Sequence, residues 1–283
     1  MAFPAPPRFV RRGWRVVPWA PDMTTAKRAS HAALSAFVLR RYNWSESSLI
    51  LDLFTREQGR VTVAAKGAKR PYSQLRGVLL PFQRIHVTLG RARSDSAASD
   101  IHNLRSAEWA GAAAMLTGSA LFSGFYLNEL LMKLLARQDP HPALFDAYAQ
   151  ALPALATPDD AHVQAALRAF ELTLLREVGV LPDLSLVTLT QQPLEASRPY
   201  ALLPEAGVSA RRGEANPLNG AVLLALHAAL AQADATALRE ACSAALPELK
   251  ATLRGLLQYH LGSDQLRTRQ VLLTLPNSPS LPP

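Results

Sequence analysis

The sequence predicts an N-terminal β-barrel followed by an α-helical domain, on three observations. Five strand-length apolar pieces lie between residues 33 and 108, the apolar period turns helical after Glu108, and the charge balance changes sign near the same place. The pieces are Ala36–Leu39, Leu49–Phe54, Val61–Ala64, Ile85–Leu89 and a run near Ile101–Leu104. In the fourth, Ile85, Val87 and Leu89 alternate with His86 and Thr88, the pattern of a half-buried antiparallel strand. The turn Glu57-Gln58-Gly59-Arg60 is short enough to join the second and third as a hairpin. Five strands in some 75 residues favour a small closed barrel, which removes its own sheet edges. An OB-fold leads and an SH3-like barrel is the alternative.

Helical periods follow. Leu127, Leu130, Leu131, Leu134 and Leu135 make one apolar stripe that must pack on a neighbour. A further helix is expected to open at Thr157-Pro158-Asp159-Asp160, with Thr157 as cap and the carboxylates at the positive dipole end. It carries Val163, Ala166, Leu167, Phe170 and Leu174 on one face and stops at Gly179 and Pro182. Residues 180–215 hold four prolines without a sustained period, so they read as a long connection or a small irregular subdomain. Helical patterning returns over Leu218–Gln232, Ala235–Ala245 and Pro247–Leu261, with Gly262 as the stop. The expected division is a disordered basic arm over 1–30, the barrel over 31–108, the helical domain over 109–275 and a disordered tail over 276–283.

Residues 1–110 carry 18 Lys+Arg against 7 Asp+Glu, a balance of +11, whereas residues 111–283 carry 12 against 15. A half-molecule this basic attracts polyanions, nucleic acid or an anionic membrane surface, although solubility alone also explains such an asymmetry. Trp109–Asn128 runs twenty residues without a charge, but it is rich in Ala, Gly, Ser and Thr and is expected as a buried helix of a soluble bundle. The N-terminus has arginines at 8, 11, 12 and 15 and no apolar run of a signal peptide; Met23 is an alternative start. A single cysteine, Cys242, excludes an internal disulfide and a Cys-rich zinc site, in keeping with the cytoplasm.

The sequence lacks the phosphate-binding Gly-x4-Gly-Lys, the dinucleotide Gly-x-Gly-x-x-Gly, the zinc-protease His-Glu-x-x-His and the Gly-x-Ser-x-Gly elbow. The seven histidines lack ligand spacing, and His260 reads as a capping or surface group. Glu171 and Glu177 read as solvated ion-pairing residues on a helix. The chain is therefore expected not to be an enzyme.

The informative segment runs from Arg60 to Arg84. A strand enters a loop in which Lys66, Lys69, Arg70 and Arg76 are interleaved with Gly67, Pro71 and Tyr72. Lys and Arg neutralise phosphates and release counterions, glycine permits close approach, and Tyr72 offers a face for a base. A solvated basic loop is the other reading.

The same segment resembles the RecO family of bacterial recombination mediators. The landmarks are Val38-Leu39-Arg40-Arg41, Glu46, Leu49 to Phe54-Thr55, Gly59-Arg60, Ala65-Lys66-Gly67-Ala68-Lys69-Arg70, Ser73, Arg76-Gly77 and Leu80-Pro81-Phe82. Gly124 to Leu131, Leu144 to Tyr148, Arg168 to Leu175, Gly179, Tyr259 to Gly262 and Arg267-Thr268-Arg269 continue the likeness over roughly residues 33–275. The resemblance implies an OB domain and a helical domain. Many members hold zinc with four cysteines after the third helix; residues 180–215 contain no cysteine, so no metal or other cofactor is carried over.

The resemblance implies a nucleoid-associated protein that binds single- and double-stranded DNA, anneals complementary strands and joins RecR. With RecR it would help load RecA onto DNA covered by single-strand DNA-binding protein. The candidate DNA contacts are Arg40, Arg41, Arg60, Lys66, Lys69, Arg70, Tyr72, Arg76 and Arg84. The resemblance also implies that the helical domain takes the C-terminal tail of single-strand DNA-binding protein, an acidic peptide with an apolar end. Arg168 and Phe170 are the first candidates there and Lys133 and Arg137 the weaker ones, with ordinary surface ion pairing as the other reading. An OB protein that binds RNA and a helical scaffold without nucleic-acid binding are the competing functions.

Overall fold

The structure is a computed structural model that describes residues 33–92, 101–111, 115–210, 213, 216–262, 266 and 268, with 91 and 92 as backbone only. The expected basic arm, Met23, the C-terminal tail and most of the Arg267-Thr268-Arg269 match lie outside these residues.

Five strands, β1 (Leu34–Asn43), β2 (Leu49–Thr55), β3 (Gly59–Ala65), β4 (Arg84–Ala92) and β5 (Ile101–Trp109), close into a barrel in the order β1-β2-β3-β5-β4. A single helical turn, α1 (Leu75–Val78), joins β3 to β4. Closure is completed by antiparallel pairing of Leu34–Phe37 with Arg84–Val87, and β3 meets β5 in parallel. This is an OB-type barrel. Along β2 and β3 the register sets Leu51 opposite Val63 and Leu53 opposite Val61, all of them buried in the barrel interior. Because side chains alternate across a strand, Phe54 then faces outward.

The β2–β3 turn needs its glycine. Gly59 has φ of 67°, and a Cβ there would meet the Asp139 carbonyl oxygen at 1.9 Å, so the hairpin tip packs directly against the chain beyond the first long helix.

The helical layer consists of α2 (Gly118–Leu134), α3 (Pro142–Leu155), α4 (Asp160–Glu177), α5 (Gly220–Ala231), α6 (Ala235–Ser243) and α7 (Leu246–Leu261). On the leucine stripe Leu127, Leu130, Leu131 and Leu135 are buried and Leu134 is half-buried. The expected cap of α4 shifts by two residues. Asp159 takes it, its carboxylate accepting from the Ala161 amide at 3.0 Å, while the Thr157 hydroxyl donates back to the Ala154 carbonyl and closes α3. Asp159 has the extended backbone a cap requires. Gly262, with φ of 62°, ends α7 as expected. The uncharged stretch from Trp109 is not one helix: Trp109 closes β5 and helix begins only at Gly118. Among the described residues no helix is long and apolar enough to cross a membrane.

The proline-rich segment contains more order than its period suggests. Strands β6 (Pro199–Leu203), β7 (Gly207–Ser209) and β8 (Leu218–Asn219) form a sheet in the order β7-β6-β8. Leu184, Val187, Leu194, Tyr200, Leu202, Val208 and Leu218 are buried in the same core as the helices, and the Thr188 hydroxyl accepts from the Val208 amide at 2.8 Å. Apolar packing supplies what thiolates supply in a zinc-bound subdomain. A chelator is therefore expected to leave the melting temperature unchanged. A fall in Tm with stoichiometric zinc by elemental analysis would contradict this.

Barrel and helices are one compact unit. Phe37, Leu39, Phe54 and Phe82 project from the barrel into the helical core. Phe37 lies 5.1 Å from Phe145 and 4.9 Å from Tyr148, Phe54 lies 5.5 Å from Phe145, and Tyr148 lies 6.0 Å from Phe170, measured between ring centroids. Two of the polar side chains buried there satisfy each other. Tyr148 donates to Asn128 Oδ1 at 2.5 Å, and Asn128 Nδ2 donates to the Leu39 carbonyl at 3.0 Å. At the rim Arg56 holds Asp146 by two hydrogen bonds of 3.1 and 3.0 Å.

Candidate nucleic-acid interface

β1 is longer than its apolar pattern. Its first six residues are buried, whereas Arg40, Arg41, Tyr42 and Asn43 are exposed and pair only with β2. This half of the strand projects past the β4 contact. The turn that follows is braced by the Trp44 amide on the Ser48 carbonyl at 3.2 Å and the Ser48 amide on Ser45 Oγ at 3.1 Å.

The basic loop after β3 is joined to that turn. The Lys69 amide donates to the Ser47 carbonyl at 3.0 Å, and Lys69 Nζ donates to the Ser45 carbonyl at 2.9 Å. Successive bonds from Arg70 to Gly67, Ser73 to Arg70 and Arg76 to Ser73 coil the loop into tight turns. Lys66, Arg70 and Arg76 are thereby exposed together, and Tyr72 is 99% exposed. Lys69 is the stitch of the site, with its charge spent partly on a carbonyl. Arg84 is exposed at the start of β4, its guanidinium carbon 5.8 Å from the Phe145 ring centroid.

Arg60 is placed differently from the expectation. It lies on the outer face of β3, where α2 covers it; Nη1 donates to the Met132 carbonyl at 2.5 Å and Nε is buried without a partner. Burial lowers its pKa, and it serves the barrel–helix junction rather than the open surface. Beside it Asp52, 4% exposed, accepts from the Thr62 hydroxyl at 2.8 Å.

Two aromatic residues complete the surface without having been singled out by motif. Tyr42 is 36% and Trp44 53% exposed, and the Arg40 guanidinium sits 4.8 Å from the Tyr42 ring centroid. The available signal was the run Arg40-Arg41-Tyr42-Asn43-Trp44, in which cations and aromatics interleave just beyond the last apolar residue of the strand. Partial burial and the Asp52 carboxylate raise the Tyr42 phenol pKa.

The four residues assigned to a peptide site separate. Arg168 is 7% exposed, because α4 is buried on nearly all sides from Ala165 to Leu175. Its Nη2 donates to Glu171 Oε1 at 2.5 Å, and Tyr126 donates to the same oxygen at 2.7 Å. Arg168 is therefore an interior cation, not a surface one, and Glu171 is an interior carboxylate, not a solvated ion-pairing residue. Desolvation pushes the Glu171 pKa up against the opposing pull of Arg168. His260, expected as a capping or surface group, is half-buried against Tyr259 with Nε2 shielded and unpartnered. Lys133 pairs with Glu129 at 3.4 Å, and Arg137 is exposed beside Arg60.

Breaking the interior pair should be costly and removing it whole should not. Arg168→Met is expected to destabilise by about 3–5 kcal/mol, since it strands the Glu171 charge. The triple variant Arg168→Met, Glu171→Leu, Tyr126→Phe should recover most of that loss in urea denaturation. Equal instability of the two would refute the desolvation argument.

Phe170 has a second surface. It is 2% exposed and floors a cavity of about 450 Å³ between α3, α4 and the α5–α6 corner, with Ala151, Ala166, Leu230 and Leu238. Arg56, Arg176 and Arg239 stand around it, with Asp146, Glu177 and Asp234.

A five-stranded OB-type barrel with a cationic and aromatic outer surface, continued by a helical layer on a shared core, defines an OB-fold protein with a helical extension. The family model described as Recombination protein O N terminal matches residues 31–111, and that described as Recombination protein O C terminal matches residues 115–270. The chain is 49% identical over 255 residues to DNA repair protein RecO of Verminephrobacter eiseniae, covering 89% of this chain and 99% of that one. It is 50% identical over 242 residues to DNA repair protein RecO of Polaromonas sp. strain JS666, covering 85% and 95%, and 50% identical over 264 residues to that of Variovorax paradoxus, covering 89% and 99%. The chain belongs to the RecO family.

Proposed function

We propose that this chain is a DNA repair mediator that binds single- and double-stranded DNA on the barrel and anneals complementary strands, without bond-making chemistry. The observation that carries the reading is the Lys69 stitch, which ties the turn after Arg40, Arg41 and Tyr42, with its exposed Trp44, to the segment that exposes Lys66, Arg70, Tyr72 and Arg76. Annealing brings two polyanions together, and a surface of this kind lowers their repulsion while releasing counterions. The test is annealing of complementary oligonucleotides with and without single-strand DNA-binding protein. No acceleration over the spontaneous rate would refute it.

Family membership supports the partners: RecR, and through it the loading of RecA onto DNA covered by single-strand DNA-binding protein. For the acidic, apolar-ended tail of the latter, the cavity floored by Phe170 is the better candidate site. It combines an apolar floor with Arg176 and Arg239 at its edge, the pairing such a ligand requires. In an anisotropy titration with a labelled tail peptide, Arg239→Ala is expected to weaken binding and Lys133→Ala to leave it unchanged. The reverse result would move the tail elsewhere.

A further inference from the structure

On an OB barrel the ligand face is the outer side of β2 and β3 with the β1–β2 loop. In this chain Asp52, Phe54, Thr62 and Ala64 on that side are buried, the helices packing over Phe37 and Phe54, and the exposed surface beside it is the projecting end of β1. Arg40 and Tyr42 share a face, Trp44 stands at the following turn, and the chain after α2 delivers a further cation. The Gln138 amide donates to the Arg60 carbonyl at 2.9 Å, and Arg137 bridges to Arg60, which fixes Arg137 against the barrel. Its charge is felt at the Tyr42 hydroxyl.

We propose that Tyr42 and Trp44, with Arg40 and Arg137 beside them, form a strip that selects single-stranded DNA by stacking on its base faces. This deepens the DNA-binding reading and rests on it. The physical distinction lies in what a duplex hides. Phosphates are offered by one strand or two, so the cations of the Lys66–Arg76 loop attract both forms. Base faces are offered only by a single strand, since in a duplex they are stacked on one another. An aromatic platform adds about 1–3 kcal/mol per stacked base and reads no sequence. Stacking also occupies the face of a base and leaves its pairing edge free. A strand held on this strip is still open to its complement, the condition annealing imposes. Arg137 gives the helical layer a part in DNA binding.

The test uses the full chain with single-stranded and duplex oligonucleotides at one salt concentration. Trp44→Ala and Tyr42→Ala are each expected to lose about 5- to 100-fold in single-strand affinity and less than about 3-fold on duplex, the range one stacked base allows. Trp44→Phe keeps an aromatic face and should restore most of the affinity. In a full chain whose Trp14 and Trp19 are already changed to Phe, the fluorescence quench on binding a single strand should disappear in Trp44→Phe and persist in Trp109→Phe, Trp109 being the other exposed tryptophan among the described residues. Arg137→Ala should lower both the affinity and its salt dependence. Equal losses on both forms, no loss in either alanine variant, or a quench retained in Trp44→Phe would overturn the strip. If the wild-type chain binds neither form, the DNA-binding reading fails first and the strip with it.

Discussion

Replacing Lys66, Arg70 and Arg76 together with glutamate is expected to reduce DNA affinity by about two orders of magnitude or more at 0.1 M salt, with little change between sequences. Each lost phosphate contact removes about one counterion from the release that drives binding, so the slope of log K against log salt should shrink by about 2 to 3. Contacts to phosphate carry position and not sequence, hence the uniform loss. All three side chains are exposed, Lys66 and Arg70 on the loop and Arg76 in α1, and surface substitutions of this kind move stability by about 0.5 kcal/mol at most. Lys69 is left intact because its Nζ and amide hold the Ser45–Ser47 turn, and changing it would displace Trp44 as well as remove charge. Fluorescence anisotropy over a salt series measures both quantities. An unchanged slope would remove this loop from the interface.

The barrel and most helices were legible because their signals are local. The alternation of Ile85, Val87 and Leu89, the leucine stripe of α2 and the stop at Gly262 each need only a few residues of context. The functional surface was legible in part for the same reason: Lys66 to Arg76 gathers four cations in eleven residues directly after a strand. What escaped depended on tertiary neighbours. Arg60 and Lys66 look alike in sequence, yet α2 lies over one and water over the other. Arg168 sits on a helix with buried neighbours on almost every side, whereas the sequence shows one apolar face with a cation beside it. Tyr42 and Trp44 lie beyond the apolar alternation, so the strand seemed to end at Leu39, and nothing local tells that Asn43 is still paired with Leu49. The sheet at β6 to β8 is built from pieces of five, three and two residues, too short for a period to register.

The largest effect on stability is expected at the junction. The barrel turns Phe37, Leu39, Phe54 and Phe82 outward into the helical core, and each is at most 5% exposed. Burying one such side chain contributes about 1.5–3 kcal/mol, so four contribute about 6–12 kcal/mol, the same size as the whole stability of an ordinary domain. A fragment limited to residues 31–111 would place all four in water as one apolar patch. It is expected to lack a cooperative thermal transition and to self-associate. Within the full chain, Phe54→Ala should cost about 3–5 kcal/mol, since Phe145 and Tyr148 pack on the ring and cannot follow it inward. The shared core further requires that barrel and helices melt together, with near-ultraviolet and far-ultraviolet dichroism falling at one temperature in the wild type and in Phe54→Ala. Two separated transitions, or a fragment that melts cooperatively as a monomer, would show that the barrel stands alone. If it does not, weaker DNA binding in a variant of α2 or α3 means loss of a DNA contact only where the melting temperature is kept, because unfolding the helices also removes the cover from Phe37 and Phe54 on which the barrel depends.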